Sequence, residues 1–340
     1  MNTNDTDAYL SVRLDIMVSR LLGKSVLNRI VHSDLEQIPA LIKQVVPTHS
    51  VELPTTELRR LLSSSMYRDF QLLLRPLKGN NRRFLKHAIR WFELSNLKVL
   101  IRGKFTGVSE SVLTRQLVDL GEYADLPVAT LLETDDPFEM LRLLEQTAYG
   151  GIVRQARRVF DEQGHDLFSL DSAIDRNFFL ELASRSRFLS TQEHRHLRQV
   201  MGVLMDRFNL LWLLRYRFSY GLSPARSYYL LTTTGTQLHS AQLMGLARKG
   251  SLAEVIEELP RGLKKLLQGV HDIYQVEQLM EWYTLSAAKR GLSPHLTDMC
   301  RLFSYMLLRE AETRYVLAVI KGKQLGFAEA LIGKAVGSDD

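Results

Sequence analysis

Three short stretches of the 340-residue chain contain residues whose types and spacing could do chemistry. The segment "GKS" from Gly23 is like the end of a phosphate-binding loop. The segment "EHRH" from Glu193 places two histidines beside a carboxylate, as a metal site would. The segment "NLLWLLRYRFSYG" from Asn209 interleaves arginines with aromatic rings, which can stack on bases and pair with phosphates. Each suggestion can be tested against the residues around it.

The first two stretches lack the spacing that their chemistry needs. A phosphate-binding loop has glycine five residues before Gly23 and follows a strand, but Val18 stands there in a helical pattern. His194 and His196 are two residues apart, so on a helix their side chains diverge by about 160°. We therefore expect no nucleotide, metal or other cofactor to bind and no catalytic residues.

Charge and composition bear on the third stretch and on the location of the protein. The chain has 44 basic and 38 acidic residues, a net charge of +6, which is a mild excess. The basic runs from Arg82 and Arg154 have acids close by, which favours solvated helix faces over a nucleic-acid site. Nucleic-acid binding stays a third hypothesis that predicts steep salt dependence, and we expect no nucleic-acid partner.

The compartment follows from the cysteine count and the apolar segments. The single cysteine, Cys300, excludes an internal disulfide and is typical of a reducing cytoplasm. The amino terminus has no secretory signal pattern, and no stretch reaches the ~20 uninterrupted apolar residues that span a bilayer. The prediction is a cytoplasmic protein that could only be peripheral to a membrane.

The elements that carry these residues are predicted to be helices. Apolar residues such as Leu197, Val200, Met201 and Leu204 recur at helical spacing, and strand-like alternation is nearly absent. The pattern predicts an all-α protein of about 15 helices. Capping signals support this fold class: Ser190 with Glu193 three residues on, Ser251 with Glu254, and Asp136 before Pro137.

Three of the predicted helices are long, spanning roughly residues 81–106, 191–220 and 294–325, and their ends share one pattern. Each has an acid, then Asn or Tyr three residues on, a base nine on, another base eleven on, and a closing glycine. The members are Glu93, Asn96, Arg102, Lys104 and Gly107 in the first copy; Asp206, Asn209, Arg215, Arg217 and Gly221 in the second; and Glu312, Tyr315, Lys321, Lys323 and Gly326 in the third.

The copies lie at nearly even intervals, which indicates three related helical units of about 110 residues each. We expect their approximate bounds to be residues 1–107, 108–221 and 222–340, within one compact structure. The middle copy has one extra residue before Gly221. The third copy has Tyr315 for Asn and Lys321 for Arg, and lysine cannot reproduce the planar fork of arginine.

Helix geometry limits what the shared charges can do. Eleven residues of helix span ~16 Å, and same-helix pairs need spacings of three or four, so no acid can reach a base of its own copy on the same helix. The charges are then either inter-helix ion pairs and carboxy-terminal caps that fix the packing of each unit, or parts of a surface that holds a partner. We expect the acids Glu93, Asp206 and Glu312 to be the charge complements of the bases Arg102, Arg215 and Lys321 across helices.

The triple pattern resembles the C/d-subunit family of the V-type and archaeal-type rotary ATPases. The resemblance rests on "FELSNLKVLIRGKFTG" from Phe92, "MDRFNLLWLLRYRFSYGLS" from Met205, "IKGKQLGFAEALI" from Ile320 and the opening "YLSVRLDIMVSRLL" from Tyr9, and it extends over essentially the whole chain. It implies a funnel-shaped, pseudo-threefold helical protein without enzymatic activity.

In that family's role the protein would link the central shaft, made of the D and F subunits, to the membrane proteolipid (c/K) ring of an ion-translocating ATPase. It would be peripheral on the membrane through the complex and would bind no nucleotide itself. The alternative is a generic α-helical repeat adaptor that binds another soluble protein.

Overall fold

The computed structural model of the chain describes residues 3–46, 55–118, 120, 124–162, 164 and 166–337. These residues form helices and turns, and no strand occurs within those ranges, so the predicted all-α class is confirmed. Many of the helices are short, which is why they outnumber the prediction. In chain order they are α1 (Thr3–Ser19), α2 (Lys24–His32), α3 (Ile38–Leu41), α4 (Thr55–Leu74), α5 (Gly79–Ile89), α6 (Trp91–Phe105), α7 (Glu110–Gln116), α8 (Val128–Glu133), α9 (Pro137–Glu145), α10 (Gly150–Glu162), α11 (Leu167–Ser186), α12 (Thr191–Leu214), α13 (Pro224–Tyr229), α14 (Ser240–Ala247), α15 (Leu252–Glu258), α16 (Arg261–Leu266), α17 (Ile273–Gly291), α18 (Asp298–Gln324) and α19 (Glu329–Val336).

Two of the three long helices are continuous. Helix α12 runs into a π-helical turn, Arg215–Ser219, and α18 spans most of the predicted third helix. The first predicted long helix, residues 81–106, is broken at Arg90, between α5 and α6. There the backbone tightens: the Arg90 amide donates to the His87 carbonyl at 3.1 Å, and its side chain turns to Asp125 at 3.2 Å.

The predicted helix starts have the expected geometry. Ser190 accepts a hydrogen bond from the Glu193 amide at 3.3 Å, and the Glu193 carboxylate accepts one from the Ser190 amide at 3.2 Å, a complete capping box. Asp136 accepts from the Phe138 amide at 2.9 Å, with Pro137 in the first turn.

The chain forms two compact units. The first contains residues 1–85, 118–124 and 292–340, and the second contains residues 86–117 and 125–291. In the first unit, both ends of the chain build one core, in which Leu58 and Leu62 of α4 belong to the same buried cluster as Val316 and Ile320 of α18. The division into three units that the repeated pattern suggests stays a prediction.

Each of the three helices with the repeated ending packs against a long helix that its charged residues reach. Helix α6 packs on α11, α12 on α17, and α18 on α4. The ion pairs Lys98–Asp175 and Arg102–Asp171 show that α6 and α11 run antiparallel. The partner helix follows its repeat helix in the first two copies, whereas in the third it comes from the beginning of the chain.

Buried polar contacts join α18 to α4, the third of these helix pairs. The guanidinium of Arg309 on α18 is 1% exposed and bonds to the Asp69 carboxylate on α4 and to the Val45 carbonyl, both at 3.3 Å. The Tyr305 hydroxyl donates to the same carboxylate at 3.2 Å. Burial raises the pKa of Asp69, and the adjacent Arg309 opposes that shift.

Aromatic rings form the centre of the second unit. Trp91 of α6, Phe179 of α11, and Phe208 and Trp212 of α12 have ring centroids 4.4–5.7 Å apart. Trp212, which belongs to the basic-aromatic segment from Asn209, therefore packs in a core, as expected for a structural residue.

His87 predicts how the stability of the second unit depends on pH. Its ring stacks on Phe178 and bonds to the Phe178 carbonyl at 3.1 Å, and burial lowers its pKa from 6.5 to about 4. The imidazole is thus neutral in the folded state, while the unfolded chain gains a proton as the pH falls below 6.5. We expect the free energy of unfolding to fall by about 3 kcal/mol between pH 7 and pH 4 from this group alone.

Urea denaturation of wild type and His87→Gln at several pH values measures this contribution. Glutamine retains a donor for the Phe178 carbonyl but does not titrate. The difference in stability between the two proteins should shrink as the pH falls. Parallel pH profiles for the two proteins would contradict the assignment.

Candidate functional site

The acids of the repeated helix ends are buried and hold loops. Glu93 accepts hydrogen bonds from the Leu126 amide at 2.7 Å and from the Tyr149 hydroxyl at 2.6 Å. Asp206 accepts from the backbone amides of Gln237 at 3.0 Å and Leu238 at 2.8 Å, and from the Thr236 hydroxyl at 2.8 Å. Each carboxylate thus satisfies amides of a connecting segment about 30 residues further along the chain.

The predicted pairing of these acids with the motif bases is therefore wrong for the first two copies. Arg102 pairs with Asp171 on α11, and Arg215 pairs with Glu277 on α17 at 2.8 Å. The reason is burial: the acids lie inside, where backbone amides need acceptors, while the two arginines lie at the helix ends, within reach of a neighbouring helix.

A sequence signal for the true partners does exist. Asp171 follows the buried Leu170 on α11, and Glu277 follows the buried Val276 on α17. An acid directly after the first core residue marks both pairs, but only once the structure has shown which helices are the partners. Aligning only the helices with the repeated ending misses it, because the paired acids belong to different helices.

The asparagines of the repeated helix ends also face the interior. The Asn209 side-chain oxygen accepts from the Thr232 amide at 2.9 Å and from the Thr232 hydroxyl at 3.0 Å, and both Asn209 and Asn96 are buried. In the second copy, Asp206 and Asn209 together fix residues 232–238 on the surface of α12.

The second base of each copy binds carbonyls near the carboxy-terminal end of a short helix. Lys104 donates to the Leu132 carbonyl in the last turn of α8, and Lys323 donates to the Val31 carbonyl in the last turn of α2 at 2.6 Å. Arg217 reaches the Lys249 carbonyl, just beyond α14, at 3.3 Å. Carbonyls there have no partner within their own helix and carry partial negative charge, so a cation stabilises them.

The closing glycines have the predicted left-handed conformation, with φ of 68° at Gly107, 65° at Gly221 and 70° at Gly326. The extra residue of the middle copy is taken up by the π-helical turn, in which the Tyr220 amide donates to the Arg215 carbonyl at 2.9 Å. An inserted residue is thus accommodated without changing how the helix ends.

The residue between the two bases differs in size among the copies, and the residue packed against it differs in the opposite sense. We call this a size exchange. It is Gly103 in the first, where an added Cβ would overlap the Leu113 side chain of α7, and Gly322 in the third, where it would lie 2.8 Å from Ile332 of α19. The middle copy has Tyr216, and the position on α13 that matches Leu113 and Ile332 is the buried Ser227.

The third copy differs from the other two in its charges. Glu312 is buried like the other motif acids. Lys321 is exposed and, within the part of the chain that the structure describes, forms no ion pair. The ion pair that joins the motif helix to its partner helix in the first two copies is therefore not formed at Lys321.

The other residues that the sequence suggests as sites lie in helix starts, hydrogen bonds or the core. Gly23 is the residue before the first turn of α2, and the His194 ring bonds to the Ser186 carbonyl at 3.0 Å. Burial raises the pKa of the Cys300 thiol to about 11, which disfavours the reactive thiolate. Among the described residues, His, Cys, Asp and Glu side chains form no group of three or more that could hold a metal ion.

Fold and site together define a helical protein in which charged side chains join helix ends to loops and to other helices. A family model described as ATP synthase (C/AC39) subunit matches residues 10–335. The chain belongs to this family, which confirms the resemblance carried by the repeated helix ends. Of the helices that the structure describes, none combines the length and the apolar character needed to cross a bilayer.

Curated relatives agree with the family over most of their length. The C subunit of the A-type ATP synthase of Methanocaldococcus jannaschii is 24% identical, covering 93% of this chain and 82% of its own. The protein of the same name from Halorubrum lacusprofundi is 26% identical, covering 78% and 77%. That of Methanothermobacter thermautotrophicus is 21% identical, covering 96% and 86%.

Replacing Asp206 tests whether the buried acids hold the loops. Asp206→Ala leaves two amides and a hydroxyl without their acceptor, and we expect a loss of about 3 kcal/mol in the free energy of unfolding. Gly235→Ala should also be destabilising, because its Cβ would overlap the Asp206 carboxylate. Urea denaturation measures both losses.

Arg215→Gln is the matched control, since its ion pair with Glu277 is only partly buried and contributes about 1 kcal/mol. Equal losses for Asp206→Ala and Arg215→Gln would show that the acid has no special role.

The size exchange gives a second test. Gly103→Ala should cost about 2 kcal/mol because its Cβ meets Leu113. In the Leu113→Ala background the same change should cost much less, as thermal or urea unfolding of the four proteins would show. Gly245→Ala, at a helix position with open space around it, is the control and should be stabilising. Additive losses for Gly103→Ala and Leu113→Ala would contradict the close contact.

Proposed function

We propose that this chain is the non-catalytic central-stalk component of an A/V-type rotary ATPase, a socket that links the rotating shaft to the membrane proteolipid ring. The observation that carries the proposal is the family match over residues 10–335, together with three helix ends that share one set of anchors. The relatives, each named as the C subunit of an A-type ATP synthase, support the archaeal-type assignment.

The physical demands of such a role support the proposal. A part that passes torque between a shaft and a ring must resist bending, and its charged groups serve packing more than proton transfer. Glu93 and Asp206 are buried acceptors for backbone amides, and Lys104 and Lys323 close other helices, so these charges stiffen connections. The three units would then form the pseudo-threefold funnel, with one mouth for the shaft.

The partners in this proposal are the D and F subunits of the shaft and the c/K ring. The protein would be cytoplasmic and peripheral on the membrane through the complex, taking part in ATP synthesis or hydrolysis without binding nucleotide itself. Its function would depend on shape and stiffness rather than on a catalytic group.

Association with the shaft tests the proposal. The purified chain, mixed at micromolar concentration with the D–F heterodimer of its own ATPase, should elute as a stable complex in size-exclusion chromatography. A sample with the expected helical circular dichroism that does not associate would contradict the proposal. Retention of the same sample on a polyanion column tests the nucleic-acid hypothesis, which requires steep salt dependence.

A further inference from the structure

The third helix end differs from the other two at both positions of the inter-helix ion pair. In the first two copies an arginine meets a carboxylate of the partner helix: Arg102 with Asp171, and Arg215 with Glu277. In the third copy the arginine is replaced by Lys321, and the partner helix is α4. The residue of α4 that corresponds to the two carboxylates takes their place opposite Lys321 in this comparison.

The buried residues of the three partner helices establish the correspondence. On each helix, core positions recur every four residues and are buried in all three copies. They are Leu58, Leu62 and Met66 on α4; Leu170, Ile174 and Phe178 on α11; and Val276, Met280 and Thr284 on α17. The residue after the first core position is Asp171 on α11 and Glu277 on α17, and on α4 it is Arg59.

The third copy thus has two cations where the others have an ion pair. Lys321 and Arg59 are both exposed, and neither has an ion-pair or hydrogen-bond partner within the residues that the structure describes. The nearby acid Glu57 is held by Arg60, with an oxygen-to-nitrogen distance of 2.6 Å. The correspondence with the two ion pairs makes Lys321 and Arg59 neighbours, and two like charges at such positions repel each other and favour a carboxylate from outside.

Apolar side chains continue this surface. Leu325, Phe327 and Leu331 are 54%, 50% and 54% exposed, at the end of α18 and on α19. Leu325 follows Lys321 by four residues and so lies on the same side of the helix end. The matching residues are Thr106, Val108 and Val112 in the first copy and Tyr220, Leu222 and Arg226 in the second. Tyr220 is also exposed, at 57%, so the exposed apolar side chains that distinguish the third end are Phe327 and Leu331.

We propose that this third helix end, formed by Lys321, Arg59, Leu325, Phe327 and Leu331, binds an acidic helical segment of a partner protein. The inference rests on the proposed function, in which the partner is another component of the ATPase. The first two copies show what fits: a carboxylate on a helix, one residue after a buried apolar side chain. A segment with the same pattern would pair with the two cations and cover the apolar residues.

Charge reversal tests the site, because it should act oppositely on stability and on binding. Arg59→Glu and Lys321→Glu each build the missing ion pair within the chain, so the melting temperature should rise by about 1 °C. Each also repels an acidic segment, so affinity for the ATPase assembly reconstituted without this chain should fall about tenfold. The double variant should bind worst without the gain in melting temperature.

Arg68→Glu is the matched control, since nine residues along α4 place this exposed arginine on the opposite face from Arg59. It makes the same change in net charge and should leave affinity unchanged. Wild-type binding should weaken with salt, while binding of Arg59→Glu should be less sensitive.

The outcomes separate this inference from the proposed function. If the wild type does not bind the assembly, the proposed function is contradicted and the inference with it. If the wild type, Arg59→Glu and Arg68→Glu bind equally, the inference is overturned while the proposed function stands. If vesicles containing phosphatidylserine bind the wild type and not Arg59→Glu, the site binds lipid headgroups and the protein partner is excluded.

Discussion

A buried carboxylate that accepts hydrogen bonds from backbone amides is the interaction on which the first two of the three helix ends depend. A carboxylate removed from water is costly unless its oxygens are satisfied, and loop amides removed from water need acceptors equally. Glu93 and Asp206 meet both needs at once, on separate helices and for separate loops. Because each loop leads into the next short helix, the position of that helix follows from a single side chain. The same requirement explains why Gly235 faces Asp206, since a larger residue would keep the loop away.

The remaining motif residues extend this principle toward the helix end. The second base neutralises carbonyls of another helix, and the glycine reverses the chain so that the next helix can return. Between them, either a glycine with a large neighbour or a tyrosine with a small one fills the same space. The π-helical turn of the middle copy shows that the pattern tolerates an inserted residue, because the added residue widens one turn and leaves the ends of the hydrogen-bond ladder intact.

The chain order sets the third helix end apart. Its partner helix α4 comes from the beginning of the chain, so the first and last segments must meet to complete one core. The charged residues of this helix pair are also arranged differently. A hydrogen-bonded Arg309–Asp69 pair joins the two helices in the interior. The outer ion pair is absent at Lys321 within the described residues. The third helix end thus differs from the other two in two residues from distant parts of the chain, Lys321 and Arg59.

The sequence alone determined the helical class, the capping signals, the three helix ends with their glycines, and the family, because these depend on spacing along one helix. It could not determine the partners of the charged residues. Arg102 and Arg215 pair with acids from helices more than sixty residues away, and Glu93 and Asp206 bind backbone amides, which carry no sequence signature. The contact of Arg90 with Asp125, at the break between α5 and α6, is also one that no local pattern indicates. Only the tertiary structure decides such pairings, since burial determines which charges need a partner and packing determines which partner is within reach.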